Sequence, residues 1–397
     1  MDFPNAILRF ARISSVNMAV SKAAPRLERE ALQTVLGELE AQNISLGKLV
    51  EDDDFARTIL HGKANHTYAF KTVGQDGKPA EFILSVSRTP QGAKSYDAVN
   101  RLQHHLHANG VRVPEPIGRS GTYPGSEQSY MVTRFIHGVQ PRITELTEAQ
   151  MENLGREVAH AHTQTQHLRP EDFIVPHAEK TTRTLGAHMG RVAKATHLVS
   201  DYGRTRNEWP VKDMARAAGE KAWRYVTGKT GKLPTGFVHS DLHPENLIFS
   251  GVNNAEVDLL DWGNFKHERP LLHDVINALI RSAKKGTAHA GPVFDPQKAA
   301  AFLRGYDSVR PLTSLEVELL PKMLFEKACA RSYLEMRQFE NGELIAGYDK
   351  IMHPSELAGQ LHEYRDAAHD MSWIEEGLTA RQHRVPPSSP SGVGHRL

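Results

Sequence analysis

The hydrophobic pattern changes character several times along the chain. In PRLEREALQTVLGELEAQ, residues 25–42, leucine and valine recur every three or four positions, which predicts one amphipathic helix. Between about residues 46 and 88, the apolar runs HTYAFKTVG and EFILSVSR flank the turn-forming QDGKPA, which is typical of a β-hairpin. Next, SYDAVNRLQHHLHANG predicts a helix that ends at a glycine, and VRVPEPIG and SYMVTRFIHG predict two more strands. Together these elements favour a small antiparallel β lobe with one packed helix.

Beyond about residue 140 the periodicity is mostly helical. Two helix starts carry a capping box, in which threonine precedes glutamine or glutamate by three positions: Thr147 with Gln150, and Thr313 with Glu316. Between 237 and 262, FVH, the polar loop SDLHPEN, LIF, the turn SGVNNA and EVDLLDW predict a loop followed by a hairpin. The chain is therefore predicted to have an α+β fold with two lobes. The predicted parts are an N-terminal helical extension (1–45), a small β lobe (46–138), a mainly helical lobe (139–378) and a disordered tail (379–397).

Composition excludes several classes of function. The 397 residues are 39% apolar and 24% charged, with a formal net charge of +1, so nothing indicates an electrostatic grip on nucleic acid or on anionic lipid. Cys329 is the single cysteine, which rules out an internal disulfide and a cysteine zinc cluster. No apolar run approaches the roughly 20 residues that span a bilayer. The N-terminal residues do not show a basic start, an apolar core and a small-residue cleavage site in that order, so no signal peptide is predicted. We therefore expect a cytoplasmic enzyme that acts on a small molecule; the sequence leaves its oligomeric state open.

The stretch FVHSDLHPENLIF places ionisable side chains inside an otherwise apolar run, and two interpretations compete. His239, Asp241 and His243 could be alternating metal ligands of a hydrolase. Alternatively, Asp241 could accept the proton of an attacking hydroxyl while Asn246 and Asp261 hold magnesium against nucleotide phosphates. The predicted hairpin brings Asp261 back beside Asn246. The second interpretation is stronger, because the first leaves Asn246 and Asp261 without a role.

These residues resemble the aminoglycoside phosphotransferase and homoserine kinase group, which shares the two-lobed fold of protein kinases. His239, Asp241 and Asn246 match its H-x-D-x-x-x-x-N loop, Asp261 in LLDWGN matches its metal-binding aspartate, and Asp274 matches an aspartate that starts the next helix. The resemblance extends from about residue 55 to 340. Through LQHHLHANGVRVPEPI and GYDSVRPLTSLEVELLP it is closest to the homoserine kinase branch.

The resemblance implies that residues 46–138 form a nucleotide-binding lobe and that residues 139–378 form the catalytic and substrate lobe. It also implies which residues are catalytic and which bind the cofactors. Asp241, Asn246 and Asp261 would be catalytic, with Asn246 and Asp261 holding Mg2+. ATP would place its adenine against the backbone that joins the two lobes, at Arg134, Phe135 and Ile136. His239 would be a structural residue that hydrogen-bonds the loop backbone.

The small lobe departs from the family pattern at two charged positions. Ser85 stands where many members have a phosphate-contacting lysine, and Val99 stands near the position of its glutamate partner. Gly62 in GKANHTY offers a phosphate cover, although a single glycine is a weak signal. Other candidates for phosphate contact, each equally compatible with a solvated surface charge, are Lys63, Lys71 and Arg88.

Three functions stay open from the sequence: a kinase of a homoserine-like amino alcohol, a phosphotransferase of aminoglycosides or other antibiotics, and a nucleotide-binding pseudokinase. Retention of Asp241, Asn246 and Asp261 together favours an active enzyme. A basic residue is expected beside an amino-acid carboxylate, and acidic residues are expected around an aminoglycoside. Arg331 is one candidate for the basic residue.

Overall fold

The structure is a computed structural model that describes residues 27–51, 55–61, 65–88, 93–142, 144–169, 171, 173, 229–286, 293–340 and 354–378. The chain divides into two compact units. The first contains residues Met1–Asn100 and Pro116–Phe135, and the second contains Arg101–Glu115 and Ile136–Leu397. Within the described ranges, no helix combines the length and the apolar character needed to cross a membrane.

The first unit is built on one antiparallel sheet with the strand order β1-β3-β4-β6-β5, and β2 also pairs with β3. Its strands are β1 (Lys48–Leu49), β2 (Ala56–His61), β3 (Asn65–Val73), β4 (Pro79–Ser87), β5 (Pro116–Thr122) and β6 (Ser129–Arg134). In the described part of this unit, two helices accompany the strands in sequence, α1 (Arg29–Glu40) and α2 (Ala93–Ala108), and α2 contributes residues to both units. The predicted hairpin is confirmed as β3 and β4, which pair from Asn65↔Ser87 to Val73↔Pro79.

The core of this unit forms on one face of the sheet. In β4, the alternate residues Phe82, Leu84 and Val86 are buried, as expected for a strand with one face in a core. They belong to the same apolar cluster as Leu32 and Leu39 of α1. The amphipathic helix predicted over 25–42 is therefore confirmed, and its apolar stripe closes this core.

The predicted strand at VRVPEPIG begins later than expected, at Pro116. The cause lies in the backbone of Arg112, whose N–H donates to Glu157 (2.5 Å) and whose carbonyl accepts from the N–H of Leu259 (2.9 Å). Both backbone groups of Arg112 are therefore engaged by residues outside the first unit's sheet. For this reason the stretch before Pro116 does not pair with that sheet.

Across the residues that the structure describes, the second unit is mostly helical and has three short strand pairs. Its helices after α2 are α3 (Glu148–Thr165), α4 (Leu272–Ser282), α5 (Pro296–Val309), α6 (Ser314–Glu340), α7 (Pro354–His369) and α8 (Ser372–Leu378). Its strands are β7 (Thr235–Val238), β8 (Leu247–Ser250), β9 (Glu256–Leu259), β10 (Lys266–Pro270), β11 (Lys284–Lys285) and β12 (Val293–Phe294), paired as β7·β10, β8·β9 and β11·β12. The charged β10, KHERP, has no strand-like apolar pattern, so the sequence did not predict it.

Helices α3 and α5 approach each other closely because glycine lies at both contact points. A Cβ on Gly155 would collide with the carbonyl oxygen of Phe302, and a Cβ on Gly305 would collide with the carbonyl oxygen of Glu152. Such a pair of side-chain-free positions lets two helix backbones meet. The capping box of Thr147 and Gln150, predicted from the sequence, is confirmed at the start of α3.

Glu157 of α3 is a mostly buried carboxyl group beside Arg112. Burial raises the pKa of Glu157 to about 7, and the charge of Asp258 adds to the rise; the backbone N–H and the guanidinium of Arg112 only partly oppose it. Because this pKa is raised on folding, the associated stability is present below the ordinary pKa near 4.5 and is lost as the pH approaches 7.

We predict that Glu157→Gln flattens the pH dependence of stability. Over this pH range the wild-type free energy of unfolding should fall relative to that of the variant, by at most about 3 kcal/mol, since each pKa unit corresponds to about 1.4 kcal/mol. Denaturant unfolding between pH 4.5 and pH 8 measures this, with the exposed Glu145→Gln as control. Parallel profiles for wild type and Glu157→Gln would contradict the assignment.

Candidate active site

The site is built on the loop between β7 and β8, residues 239–246, and on the hairpin that follows. Register pairs Leu247 of β8 with Leu259 of β9, and the N–H of Leu260 donates to the carbonyl oxygen of Asn246 (2.9 Å). The hairpin therefore returns the chain to the end of the loop, as the sequence predicted. Asp261, the next residue, lies beside the segment that carries Asn246.

The loop is held by one buried carboxylate, that of Asp274 in the first turn of α4. Its side chain is 1% exposed. Its Oδ2 accepts the backbone N–H of His239 (2.6 Å), and its Oδ1 accepts the backbone N–H of Ser240 (2.8 Å). Ser240 has a φ of 71°, a left-handed conformation that is costly for a residue with a side chain. The two charge-assisted hydrogen bonds offset that cost and fix the direction of the loop just before Asp241.

Asp274 is ionised despite its burial. Burial alone would raise its pKa, but the hydrogen bond and charge of His162, the charge of His239 and the N–H of Ser240 outweigh it and lower the pKa below its usual value. His162 Nε2 donates to Asp274 Oδ2 at 3.1 Å. The site thus contains a buried negative charge that is fully engaged by donors.

A chain of buried polar side chains continues from His162 into the helical core. The Nδ1 of His162 lies 2.7 Å from the hydroxyl of Tyr306, which also receives a hydrogen bond from Nη1 of Arg310 (3.1 Å). Arg310 Nη2 in turn contacts Glu316 (3.0 Å). His162 thus links Asp274, through Nε2, to Tyr306, through Nδ1. Each member of the chain therefore has a hydrogen-bond or ion-pair partner.

Glu316 ends this chain at the start of α6. Its Oε2 accepts the N–H of Thr313 (2.8 Å), while the hydroxyl of Thr313 accepts the N–H of Glu316 (3.2 Å). The second predicted capping box is thereby confirmed. The same glutamate caps a helix and anchors Arg310, so the polar chain runs from a helix cap to the loop.

His239 is a structural residue, as the sequence predicted. Its Nε2 donates to the carbonyl oxygen of Leu260 (2.6 Å), and its Nδ1 accepts the N–H of Asp241 (3.3 Å). With both ring nitrogens engaged by backbone groups, His239 has no lone pair to offer a metal. In the part of the chain that the structure describes, no group of three or more His, Cys, Asp or Glu side chains is placed to hold a metal ion. These observations count against the interpretation as a histidine metal site.

Asp241 carries the carboxylate at the centre of the loop, with 32% of its side chain exposed. Three side chains surround it. Asn264 Nδ2 lies 3.4 Å from Oδ2, His243 Nε2 lies 3.6 Å from Oδ2, and Arg281 Nη1 lies 3.5 Å from Oδ1. Burial alone would raise the pKa of Asp241, but the hydrogen bond and charge of His243, and the charges of Arg281 and His239, lower it overall. The carboxylate is therefore ionised at neutral pH.

Asn246 and Asp261 provide hard oxygen atoms that suit magnesium. The Nδ2 of Asn246 donates to the carbonyl oxygen of Asp241 (2.9 Å), so the amide oxygen is the atom of this side chain that could bind a metal ion. Asp261 is exposed and has a φ of 53°, and its Oδ1 accepts the N–H of Gly263 (3.3 Å). One amide oxygen and one carboxylate, on segments that the hairpin brings together, are ligand types suited to a magnesium ion that keeps several waters.

The other predicted site residues lie in the first unit or at its chain boundary. Ser85 lies in β4 on the sheet face opposite the core, paired with Thr67 and Met131. Arg134 ends β6, and the N–H of Phe135 donates to the carbonyl of Glu81 (3.0 Å), so that donor already serves the sheet. Ile136 begins the later part of the second unit.

Among the predicted phosphate-contacting groups, Gly62 and Lys63 lie outside the described residues. Lys71 is exposed and pairs with Glu81 in the sheet register. Antiparallel partners share a face, and Glu81 shares a face with Ser85, so Lys71 lies on the Ser85 side of the sheet.

Sequence reasoning missed four residues of the second unit that shape the site. They are His162, Asn264, Asn277 and Arg281. Two of them carried a usable signal, because Asn277 and Arg281 follow Asp274 by three and seven positions and so lie on the same face of α4. The other two offered none: His162 lies on an apolar helix face, where a structural histidine is expected, and Asn264 lies in a turn.

Comparison with known proteins agrees with this geometry. The family model described as the phosphotransferase enzyme family matches residues 56–312. This match includes the loop, the hairpin and α4. The predicted resemblance is confirmed by it.

Curated relatives with similar sequences include several bacterial homoserine kinases. That of Azorhizobium caulinodans is 26% identical over 276 residues, covering 67% of this chain and 74% of the relative. That of Gluconobacter oxydans is 27% identical over 306 residues, covering 75% and 84%. That of Acidiphilium cryptum is 28% identical over 273 residues, covering 67% and 75%.

Solved structures with a similar fold include aminoglycoside phosphotransferases. The enzyme of Alicyclobacillus acidocaldarius superposes with a TM-score of 0.54 at 14% identity, covering 90% of this chain and 96% of that one. The GDP complex of aminoglycoside 2'-phosphotransferase-IIIa gives 0.50 at 12% identity, covering 85% and 99%. At these identities the likeness concerns the fold, and it confirms the predicted α+β, protein-kinase-like class.

We predict that Tyr306→Phe loosens the loop although no loop contact is changed directly. The substitution leaves Nδ1 of His162 and a donor of Arg310 without the hydroxyl between them, which should lower the free energy of unfolding by about 1 to 3 kcal/mol. Amide hydrogen exchange at His239 and Ser240 should quicken, because the acceptor Asp274 loses part of its support.

The matched control is Tyr130→Phe, which removes a buried tyrosine hydroxyl that donates to Glu38 (2.6 Å) in the first unit. It should lower stability without changing exchange at the loop in native conditions. Unchanged exchange at His239 and Ser240 in Tyr306→Phe would show that the polar chain does not support the loop.

Proposed function

This chain belongs to the phosphotransferase enzyme family, and from that premise we propose that it transfers the terminal phosphoryl group of ATP to the hydroxyl of a small, homoserine-like amino alcohol. The observation that carries the proposal is the fixed position of an ionised, partly exposed Asp241 on a loop held by Asp274. A binding module has no need of this arrangement, so it supports turnover over the pseudokinase alternative.

In the proposed reaction, Asp241 orients the acceptor. Its carboxylate accepts a hydrogen bond from the attacking hydroxyl and takes the proton as the new oxygen–phosphorus bond forms. Asn264 and Arg281 each approach one oxygen of this carboxylate, and the side chain stays 32% exposed, so a hydroxyl can still reach it. The lowered pKa of Asp241 keeps it in the acceptor form throughout the neutral pH range.

Asn246 and Asp261 are proposed to hold Mg2+ against the phosphates of ATP. The bound ion would neutralise phosphate charge and orient the leaving group. Asn246 keeps its amide oriented through the carbonyl of Asp241, which ties the metal side of the loop to the acceptor side. The backbone carbonyl of Phe135 and the backbone of Ile136 are the proposed contacts for adenine.

The acceptor class rests on the curated relatives. Several homoserine kinases align with two thirds or more of this chain and with about three quarters or more of their own length. The proposal therefore favours a short amino alcohol over an aminoglycoside. An acceptor screen of amino alcohols, sugars and aminoglycosides with ATP measures this directly. Turnover with aminoglycosides alone would replace the proposed acceptor class, and turnover with none would favour the pseudokinase.

We predict that Asp241→Asn retains nucleotide binding and loses turnover. The amide keeps nearly the same shape but cannot take the hydroxyl proton, and loss of a positioned base typically lowers rates about 10²- to 10⁴-fold. Magnesium-ATP affinity and steady-state phosphoryl transfer are measured for both forms. The exposed Asp76→Asn of the first unit serves as control, and turnover by Asp241→Asn equal to that of wild type would exclude Asp241 as the base.

A separate prediction concerns the metal. Asp261→Asn exchanges a charged ligand for a neutral one, so the magnesium concentration needed for half-maximal turnover should rise by about tenfold or more. The comparison uses Glu256→Gln, which alters a half-exposed carboxylate on the same hairpin. An unchanged magnesium requirement would remove Asp261 from the metal site, and stoichiometric zinc in the purified protein would revive the hydrolase interpretation.

A further inference from the structure

We propose that Arg281 binds a carboxylate group of the acceptor, and therefore that the preferred acceptor is a hydroxy acid such as a hydroxy amino acid. This inference rests on the proposed phosphoryl transfer at Asp241 and assigns the specificity of the same site. The sequence had indicated Arg331 as one candidate for this role. The structure instead places the guanidinium of Arg281 beside Asp241.

Arg281 is fixed by the same helix that fixes the loop. It lies on α4, seven residues after Asp274 and four after Asn277, so the three share one face of the helix. Asp274 binds the loop at His239 and Ser240, and Asn277 Nδ2 donates to the carbonyl of Ser240 (3.1 Å). Arg281 is therefore presented to the loop with little freedom to shift along the helix axis.

The contact between Arg281 and Asp241 is loose. Nη1 and Oδ1 are 3.5 Å apart, which is longer than the usual 2.7 to 2.9 Å of a charge-assisted hydrogen bond. Both side chains are partly exposed, Arg281 by 19% and Asp241 by 32%. A second carboxylate that approaches the guanidinium at full hydrogen-bond geometry would bind it more closely than Asp241 Oδ1 does.

The distances suit a short acceptor. A hydroxyl that hydrogen-bonds to Asp241 lies about 2.7 Å from a carboxylate oxygen, and Nη1 of Arg281 lies 3.5 Å from Oδ1 of the same carboxylate group. An acceptor whose hydroxyl and carboxylate are separated by a short carbon chain can therefore reach both residues at once. Arginine is always charged and presents a planar fork that matches a carboxylate, so it selects for an anion at that position.

The same cation disfavours a polycationic acceptor. An ammonium group close to the reacting hydroxyl would face Arg281 across a partly buried site, where like charges repel more strongly than in water. This specificity by repulsion adds to the attraction for a carboxylate. Acidic residues are expected around an aminoglycoside, whereas α4 places the basic Arg281 beside Asp241.

Two simpler roles for Arg281 make a different prediction. If Arg281 only tuned the charge of Asp241, or only stabilised charge on the transferred phosphoryl group, its removal would lower turnover of every acceptor by the same factor. A carboxylate-binding role lowers turnover selectively. Acceptors that differ only in the carboxylate therefore separate these roles.

The experiment measures kcat and KM for three acceptors related by deletion of one group. Homoserine carries both the amine and the carboxylate, γ-hydroxybutyrate lacks the amine, and 3-aminopropanol lacks the carboxylate. Each is tested with wild type, Arg281→Gln and Arg281→Lys, and with Arg304→Gln as the control arginine, which contacts Glu152 and Glu376 on other helices. Unfolding curves show that each variant is folded.

We expect wild type to prefer the two acceptors that carry the carboxylate. Arg281→Gln should lower their kcat/KM about 10- to 100-fold more than that of 3-aminopropanol, mainly through KM, as expected for loss of a charged hydrogen bond. Arg281→Lys should restore part of the preference, because it keeps the charge without the planar fork. Arg304→Gln should leave the ranking of acceptors as in wild type.

Equal losses for all three acceptors in Arg281→Gln would overturn the inference while leaving the kinase function intact. A wild-type preference for 3-aminopropanol would do the same. Absence of phosphoryl transfer from ATP to any of the three would instead overturn the proposed acceptor class, and this inference with it. The two failures are thus distinguished by whether wild type turns over any of these acceptors.

Discussion

The arrangement of this site depends on one buried charge. Asp274 is 1% exposed and ionised, and a carboxylate in such a place is tolerated only if donors saturate it. Two of its donors are consecutive backbone N–H groups of the loop, and a third is His162. Because the loop itself supplies two of the three donors, a loop conformation without them would leave the buried charge with too few donors. The left-handed Ser240 is therefore a consequence of satisfying Asp274, and the position of Asp241 follows from it.

The packing of the helices makes this constraint possible. Glycine at positions 155 and 305 lets α3 and α5 meet along their backbones, which places His162 beside Tyr306. Tyr306 contacts both the histidine and Arg310, and Arg310 contacts Glu316, so the four side chains form one connected polar network. A network of this kind is costly when one member is missing, since the next group is left buried and unpaired. The helical core therefore supports the loop through polar as well as apolar contacts.

The elements and residues predicted correctly were those that local chemistry determines. Alternation along FILSVSR and the turn before it are properties of neighbouring residues, and so are the two capping boxes and the return of the hairpin to Asn246. By contrast, β10 pairs with β7 although its own sequence is charged. The stretch near Arg112 does not join the first unit's sheet, because the backbone of Arg112 hydrogen-bonds to Glu157 and Leu259 instead. His162 was missed for the same reason, because its partners lie more than a hundred positions away. Arg281 could have been predicted from the sequence, because it follows Asp274 by seven positions on the same helix and Asp274 was already matched to the site.

The charges around Asp241 have two opposite effects on its proposed role as a base. They keep the carboxylate ionised, and they make it a weaker proton acceptor. His243, Arg281 and His239 lower its pKa, and a carboxylate with a lowered pKa is a weaker proton acceptor. Phosphoryl transfer tolerates this, because its transition state is loose and the attacking hydroxyl keeps most of its proton until the phosphorus–oxygen bond has begun to break. In the proposed reaction, an aspartate that is always ionised and held in place would orient the hydroxyl and take the proton late. For the proposed reaction, position is therefore more valuable than basicity, and the guanidinium of Arg281 beside the proposed base would favour an anionic acceptor at little cost in rate.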